Sequence, residues 1–176
     1  MKKGGTGGGN TKTGINFEGE VDFLSLIVKQ RGYEVDGHDI FYNGKEVAKA
    51  FKKYSFYKYL EECGIDWKKI MSARLLPDDA IFVITNNTFF VLEIKFQERT
   101  GSTDEKLQTC DFKIKQYRKL LAQLNVEVQY IYILNDWFKS IKYKDALDYI
   151  VTVSGCSYYF NYLPLQKIGL PIPARE

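Results

Sequence analysis

The segment from residue 75 to residue 97 constrains the fold more than any other part of the chain. Two runs within it, 80–85 and 88–96, are rich in β-branched and aromatic side chains, and Asn86-Asn87 between them is typical of a turn. The segment therefore predicts a β-hairpin. Both faces of its strands are largely apolar, which predicts a central pair of strands covered on each side.

Ionisable side chains lie at one end of this apolar hairpin. Asp78 and Asp79 open the first strand, and Glu93 and Lys95 close the second. Burying such groups is costly unless they are paired or bind a metal ion. A two-residue turn pairs Asp78 with Lys95, and it pairs Ala80 with Glu93. Strand alternation then predicts that Asp78, Glu93 and Lys95 share one face, while Asp79 points the other way.

Two carboxylates that converge in this way form an oxygen site suited to Mg²⁺. A neighbouring ammonium, that of Lys95, can orient or deprotonate an attacking water and stabilise charge on a phosphate. The alternative is a local ion pair of Lys95 with Asp78 or Glu93 at the end of the sheet. The shared face, the apolar strands and the long helix that follows favour the functional interpretation.

Apolar spacing predicts the remaining elements. Helices are expected over 15–31, ending at Gly32, and over 45–63, 103–125 and 137–151. A strand or irregular hairpin is expected over 33–42, followed by a turn at Asn43-Gly44. Extended segments are expected over 126–134 and 156–163.

Length and composition narrow the class of protein. A chain of 176 residues fits one domain, predicted over 15–176 behind a glycine-rich arm at 1–14. The single histidine, His38, and the three cysteines exclude a histidine-rich zinc site, paired-histidine catalysis and a disulfide framework. The cysteines are expected to be reduced and mostly buried. With no apolar run near the ~20 residues of a membrane span, we expect a cytoplasmic protein with no membrane partner.

Positive charge is concentrated although the net charge is only +3. The segment 45–74 carries eight lysines and arginines interleaved with aromatic residues, a mixture that suits contact with nucleic-acid phosphates and bases. The alternative is a solvated helix whose rings face the core. The candidate DNA-binding residues are Lys12, Lys52, Lys53, Lys68, Lys69 and Arg74.

The spacing of the motif residues resembles that of the PD-(D/E)XK nucleases. Pro77-Asp78 is followed, after fourteen residues, by Glu93-Ile94-Lys95. The resemblance extends from the first predicted helix to about Leu134 and is closest to type II restriction endonucleases. Segments similar to such enzymes are the N-terminal 10–18, the Glu-x-Lys-x-Gln sequence ending at Gln97, and the helix entry at 101–109.

The resemblance implies a fold and a reaction. The fold would be α/β (α+β), a restriction-endonuclease-like core in which helices flank a central mixed β-sheet in the order αβββαβ, with 45–74 as an insertion. The reaction would be hydrolysis of double-stranded DNA at a specific sequence, with one or two Mg²⁺ ions per active site, leaving 5′-phosphate ends.

The resemblance also implies roles for individual residues. Asp78, Glu93 and the backbone carbonyl of Ile94 would ligate the metal, and Lys95 would act on the attacking water. Further active-site support is expected from Glu18, Gln97 and Gln108. A homodimer would cut both strands of a palindromic site, and a separate cognate methyltransferase would be expected to protect the host DNA.

Three other functions remain open. A structure-directed nuclease of the same superfamily, such as a Holliday junction resolvase, would use the same triplet but recognise DNA shape. A non-catalytic DNA-binding module would keep the fold alone. A binding protein unrelated to DNA would carry the motif by chance.

Overall fold

The computed structural model describes residues 13–17, 22–98 and 103–174. Nine strands are present in this part of the chain: β1 (Gly14–Asn16), β2 (Tyr33–Asp36), β3 (Asp39–Tyr42), β4 (Lys45–Phe51), β5 (Asp79–Val83), β6 (Thr88–Lys95), β7 (Glu127–Leu134), β8 (Cys156–Phe160) and β9 (Tyr162–Pro164). The α-helices are α1 (Phe23–Ile27), α2 (Lys53–Glu62), α3 (Trp67–Ile70), α4 (Thr103–Lys106), α5 (Cys110–Leu121) and α6 (Lys144–Thr152).

Seven strands form one mixed sheet in the order β2-β3-β4-β5-β6-β7-β8. Neighbours from β2 to β6 are antiparallel, whereas β6, β7 and β8 run parallel. A parallel pair needs a long crossover, and α5 and α6 lie within the two crossovers. The fold is therefore α+β, with a mixed central sheet flanked by helices, as the sequence predicts.

Each face of the sheet carries its own apolar core. One core contains the inward residues of α2, α5 and α6 together with Ala80, Val91 and Tyr130. The other contains α1, the small β1–β9 sheet and the alternate strand residues, such as Ile81 and Leu92. The hairpin β5–β6 is thus covered on both sides, which confirms the prediction of a central pair.

The predicted hairpin is confirmed, but its predicted register is wrong by two residues. Ala80 pairs with Val91 and not with Glu93, because the loop consists of four residues that begin with a 3-10 turn over Ile84–Asn86. Asp79 pairs with Leu92, so Asp78 lies at the level of Glu93 instead of Lys95. An even shift leaves every side chain on its predicted face.

The predicted helix over 45–63 is wrong in its first part. Residues Lys45–Phe51 form β4 between β3 and β5, and only Lys53–Glu62 is helical. Asn43 and Gly44 have φ angles of 49° and 77°, the left-handed values of a tight hairpin turn. That turn commits the next residues to a strand, and burial on both faces overrides their helical propensity. The segment predicted as an insertion therefore begins with a central strand.

The predicted helix over 15–31 is also wrong. Gly14–Asn16 pairs with Tyr162–Pro164, and the described helix α1 covers only Phe23–Ile27, with Asp22 as its N-cap. Gly14 thus belongs to a strand and not to a flexible arm. Residues 1–12, including Lys12, and residues 18–21, including Glu18, lie outside the described part.

The C-terminal predictions are confirmed with shorter helices. The helix predicted over 103–125 comprises α4, a 3-10 turn, α5 and a second 3-10 turn, and its apolar stripe is buried as expected. The α-helix predicted from residue 137 begins at Lys144, after two 3-10 turns. Cys63 is exposed, whereas Cys110 and Cys156 are buried and free. No described helix is both long enough and apolar enough to cross a lipid bilayer.

Candidate functional site

The predicted triplet converges at the end of the β5–β6 hairpin. The Lys95 ammonium lies 2.9 Å from Glu93 Oε1 and 3.6 Å from Asp78 Oδ2, and it donates to the carbonyl oxygen of Ile94 at 3.3 Å. Alternation along β6 turns Glu93 and Lys95 to the same side of the sheet, as predicted, and this is the side on which α5 packs. One cationic atom thus has three oxygens around it, two from carboxylates and one from the backbone.

The backbone of Ile94 holds Asp78 in place. The pairing of β5 with β6 begins at Asp79 and Leu92. Beyond that pair, at Glu93 and Ile94, the side of β6 that faces Asp78 is not paired with β5. The Ile94 N–H instead donates to Asp78 Oδ2 at 2.8 Å. Asp78 is therefore oriented by the same residue whose carbonyl oxygen faces Lys95.

Glu93 is held by residues on three different elements. Its Oε1 accepts from Lys95 and, at 2.8 Å, from Lys113 on α5. Its Oε2 accepts from the hydroxyl of Tyr130 on β7. Burial would raise the pKa of Glu93, but the charges of Lys95 and Lys113 and the hydrogen bonds from Lys113 and Tyr130 hold that pKa below its usual value. A buried carboxylate is thereby kept ionised.

The donor set fits a hard divalent cation. The described residues contain no group of three or more Asp, Glu, His or Cys side chains that could hold a metal ion, so the candidate ligands are two carboxylates and the Ile94 carbonyl oxygen. Such oxygens are the ligands that Mg²⁺ prefers, and Mg²⁺ commonly retains water in its remaining positions. In this structure the Lys95 ammonium lies among the three oxygens, where it compensates their charge.

A cavity of about 280 Å³ opens beside the triplet. It is lined by Asp22, Lys52, Lys53, Asp78, Asp79, Ile94 and Lys95. Lys52 forms an ion pair of 2.8 Å with Asp22. Burial would raise the pKa of Asp22, but hydrogen bonds from Lys52 and Ser25 lower it to about 2. Two of the predicted DNA-binding lysines, Lys52 and Lys53, are therefore placed beside the catalytic candidates.

Asp79 belongs to a different environment from its neighbour Asp78. Its side chain is 1% exposed, and its Oδ2 accepts from the Phe23 N–H at the start of α1. Its Oδ1 has no hydrogen-bond partner among the described residues. Burial raises the pKa of Asp79 to about 7. The prediction that Asp79 points away from the triplet is thus confirmed.

Three further predicted DNA-binding residues, Lys68, Lys69 and Arg74, lie on or near the short helix α3 and its Trp67. The guanidinium of Arg74 lies over the ring of Trp67 at 4.6 Å and also contacts Tyr54 and Tyr57. Lys68 lies over the ring of Trp67, and Lys69 pairs with Asp66 at 3.3 Å. Tyr54 is 62% exposed, so this cluster presents ring surface together with positive charge.

The remaining support candidates are placed differently. Gln97 is buried at the end of β6, where its backbone forms two hydrogen bonds with the side chain of Asn135. This pair connects β6 to the residue that follows β7. Gln108 is exposed and lines a second cavity with residues of α6, not the cavity of the triplet.

The sequence interpretation missed Lys113, Tyr130 and Asp22. Lys113 follows Cys110 by three residues and precedes Tyr117 by four, so helical spacing places it on the edge of the buried stripe of α5. A lysine at such a position is a usable signal. Tyr130 had no comparable signal, because its contact with Glu93 depends on the parallel register in which Val91 faces Tyr130.

We expect Lys113→Met to destabilise the fold by about 1 to 3 kcal/mol, because a buried charged acceptor loses one of its donors. Urea unfolding at pH 7 measures the effect. Lys115→Met is the matched control, since Lys115 lies on the same helix and forms only an exposed pair with Asp111. That variant is expected to change stability by less than about 0.5 kcal/mol. Equal losses in the two variants would contradict a structural role for the Lys113–Glu93 contact.

No protein-family model, curated protein or solved structure matches this chain.

Proposed function

We propose that this protein is a Mg²⁺-dependent endonuclease that hydrolyses phosphodiester bonds in double-stranded DNA, with a PD-(D/E)XK-like site of the type II restriction endonuclease class. The observation that carries the proposal is the convergence of the Asp78 and Glu93 carboxylates and the Ile94 carbonyl oxygen around the Lys95 ammonium. These are the residues of the sequence motif, and they lie together at one end of the β5–β6 hairpin.

The fold supports a restriction-endonuclease-like core. The motif strands β5 and β6 are adjacent in the middle of the sheet, and α5 precedes the parallel neighbour β7. The long helix after the motif contributes Lys113, which contacts Glu93 directly. Along the chain, α1 is followed by the antiparallel strands β2 to β6, with α2 and α3 between β4 and β5, and then by α5 and the parallel strand β7. Apart from α2, α3 and the additional strands, this succession supports the αβββαβ order that the resemblance implies.

The roles of the residues follow from their positions. Asp78, Glu93 and the Ile94 carbonyl would hold Mg²⁺, which supplies a Lewis acid beside the scissile phosphate. Lys113 and Tyr130 keep Glu93 ionised and oriented. Lys95 would orient the attacking water and stabilise the negative charge that develops on the phosphate. Water oxygen bonds to phosphorus as the bond to the 3′-oxygen breaks, which leaves a 5′-phosphate and a 3′-hydroxyl.

The proposed partners are those of a restriction system. A 176-residue chain carrying one such site cuts both strands of a palindrome most simply as a homodimer. Within the basic segment, Lys52, Lys53, Lys68, Lys69 and Arg74 would contact the DNA. A separate methyltransferase would protect host DNA and would not be a stable subunit.

The direct test is incubation of the purified protein with unmethylated phage DNA in Mg²⁺ or in EDTA, followed by gel electrophoresis. We expect discrete fragments in Mg²⁺ and none in EDTA, because the two carboxyl groups of the site need a divalent cation to approach a phosphate. Lys95→Met, purified in parallel, controls for contaminating nucleases and is expected to be inactive.

Other outcomes discriminate between the candidate functions. Cleavage of four-way junctions but not of linear duplex would replace sequence recognition with structure-directed cleavage. Absence of metal-dependent cleavage on both substrates would contradict the enzymatic proposal. Retained binding to duplex DNA would then favour the non-catalytic module.

A further inference from the structure

We propose that Lys53 is the phosphate-binding residue of this site and positions the substrate strand beside Asp78. The inference rests on the proposed function and assigns Lys53 a role distinct from those of the two neighbouring lysines. Its ammonium would contact a phosphate of the DNA strand, and it would take no part in the bond-breaking step.

The three lysines that line the cavity differ in their pairing. The Lys52 ammonium is neutralised by Asp22 at 2.8 Å, and that of Lys95 by Glu93 at 2.9 Å. Lys53 forms no side-chain hydrogen bond or ion pair with any residue in the described ranges. Among the described residues, Lys53 is therefore the cavity-lining lysine whose charge no side chain compensates, and we infer that it serves an anionic ligand.

The backbone of Lys53 is held in an unusual conformation. Five described residues other than glycine have positive φ angles, and four of them are asparagines, which tolerate the left-handed region. The fifth is Lys53, with φ of 41°. A lysine is strained in this region, and strain of this kind concentrates at ligand-binding and active sites.

The strained backbone is connected directly to the catalytic segment. The Lys53 N–H donates to the carbonyl oxygen of Pro77 at 3.2 Å, and Pro77 immediately precedes Asp78. This hydrogen bond connects the start of α2 to the residue that precedes Asp78, the first metal-ligand candidate. The backbone of Lys53 is thereby held next to Asp78, and both residues line the same cavity, where a substrate phosphate would have to be positioned.

Glycine would occupy this backbone position at lower cost. If the lysine is retained for its side chain, Lys53→Gly should remove a phosphate contact and relieve strain at the same time. We expect Lys53→Gly to keep or raise the melting temperature, by about 2 °C, while it weakens DNA binding. If Lys53 had only a structural role, its replacement would not raise the melting temperature and weaken DNA binding at the same time.

The test compares Lys53→Gly, Lys53→Met and wild type in binding to a fluorescent DNA duplex across a salt series, and in cleavage of phage DNA. Both variants should bind about tenfold more weakly at low salt. The slope of log K against log[salt] should become shallower by about 0.9, the value for one phosphate contact. In cleavage, KM should rise more than kcat falls. Lys58→Met is the matched control on the same helix, because Lys58 is exposed, pairs with Glu62 and does not line the cavity, and it should behave as wild type.

Several results would overturn the inference. Equal salt slopes and KM values for Lys53→Met and Lys58→Met would remove Lys53 from the DNA contact. A large fall in melting temperature for Lys53→Gly would make the residue structural. If wild type cleaves DNA and the Lys53 variants match it, only this inference fails. If wild type neither binds nor cleaves DNA, the proposed function fails with it.

Discussion

Asp78→Asn is expected to reduce DNA cleavage by at least about 10³-fold, whereas Asp79→Asn should stay within about tenfold of wild type. A loss of this size corresponds to about 4 kcal/mol of transition-state stabilisation. Asp78 faces the Ile94 N–H and the Lys95 ammonium, and the asparagine lacks the charge that a divalent cation requires. Asp79, one residue away, accepts from Phe23 in the opposite core.

The two variants form a matched pair, because the same chemical change is made at adjacent positions on opposite faces. Initial rates of plasmid nicking in Mg²⁺ measure both, and circular dichroism checks that both are folded. DNA binding in EDTA should be retained by Asp78→Asn, since the loss lies in catalysis. If Asp79→Asn is the inactive variant and Asp78→Asn still cuts, the assignment of the metal ligand is wrong by one residue.

The second large effect is a pH dependence of folding stability that arises from the buried carboxyl group of Asp79. Burial raises its pKa to about 7 from an ordinary value of 3.8, so the folded protein binds a proton that the unfolded chain has already released between these pH values. The contribution of the protonated carboxyl is fully present below about pH 4 and is lost as pH rises towards 7. The cost of ionising this group in the folded state reaches about 4 kcal/mol at most.

Asp79→Asn should therefore stabilise the protein relative to wild type at pH 8, and much less at pH 5. The amide oxygen can still accept from Phe23, and it carries no charge to bury. Urea unfolding of both proteins at the two pH values measures the difference. Asp22→Asn is the control and should destabilise the protein instead of stabilising it. The pKa of Asp22 is lowered to about 2, and its ionised form pairs with Lys52. A gain for Asp79→Asn that is equal at both pH values would contradict a buried carboxyl with a raised pKa.

Local sequence patterns are sufficient to predict the β5–β6 hairpin and the face of the sheet on which each of its side chains lies. Strand alternation depends only on parity, so it places Asp78, Glu93 and Lys95 on one side although the predicted register is wrong by two residues. The loop length could not be read from Asn86-Asn87, because Ile84–Asn86 forms a 3-10 turn that takes two residues from the strands. The apolar stripe of α5 was equally visible in the sequence.

Helical propensity failed where distant strands compete for the backbone. Lys45–Phe51 reads as a helix, but it is enclosed by β3 and β5 and pairs with both. Ile15 has helical spacing relative to later apolar residues, yet it pairs with Leu163 across nearly the whole chain. In both segments, burial and interstrand hydrogen bonds outweigh local preferences of a few tenths of a kcal/mol per residue.

The sequence by itself determined the central hairpin, the common face of its ionisable residues and the presence of carboxylate oxygens at its end. These features follow from residue type and from the alternation of side chains along a strand, which repeats every two residues. Only the tertiary structure decided that Lys113 and Tyr130 hold Glu93, that Asp22 neutralises Lys52, and that Lys53 lines the same cavity as Asp78. These contacts join elements 20 to 40 residues apart, and their geometry depends on strand order, parallel register and helix placement, which arise from packing the whole sheet.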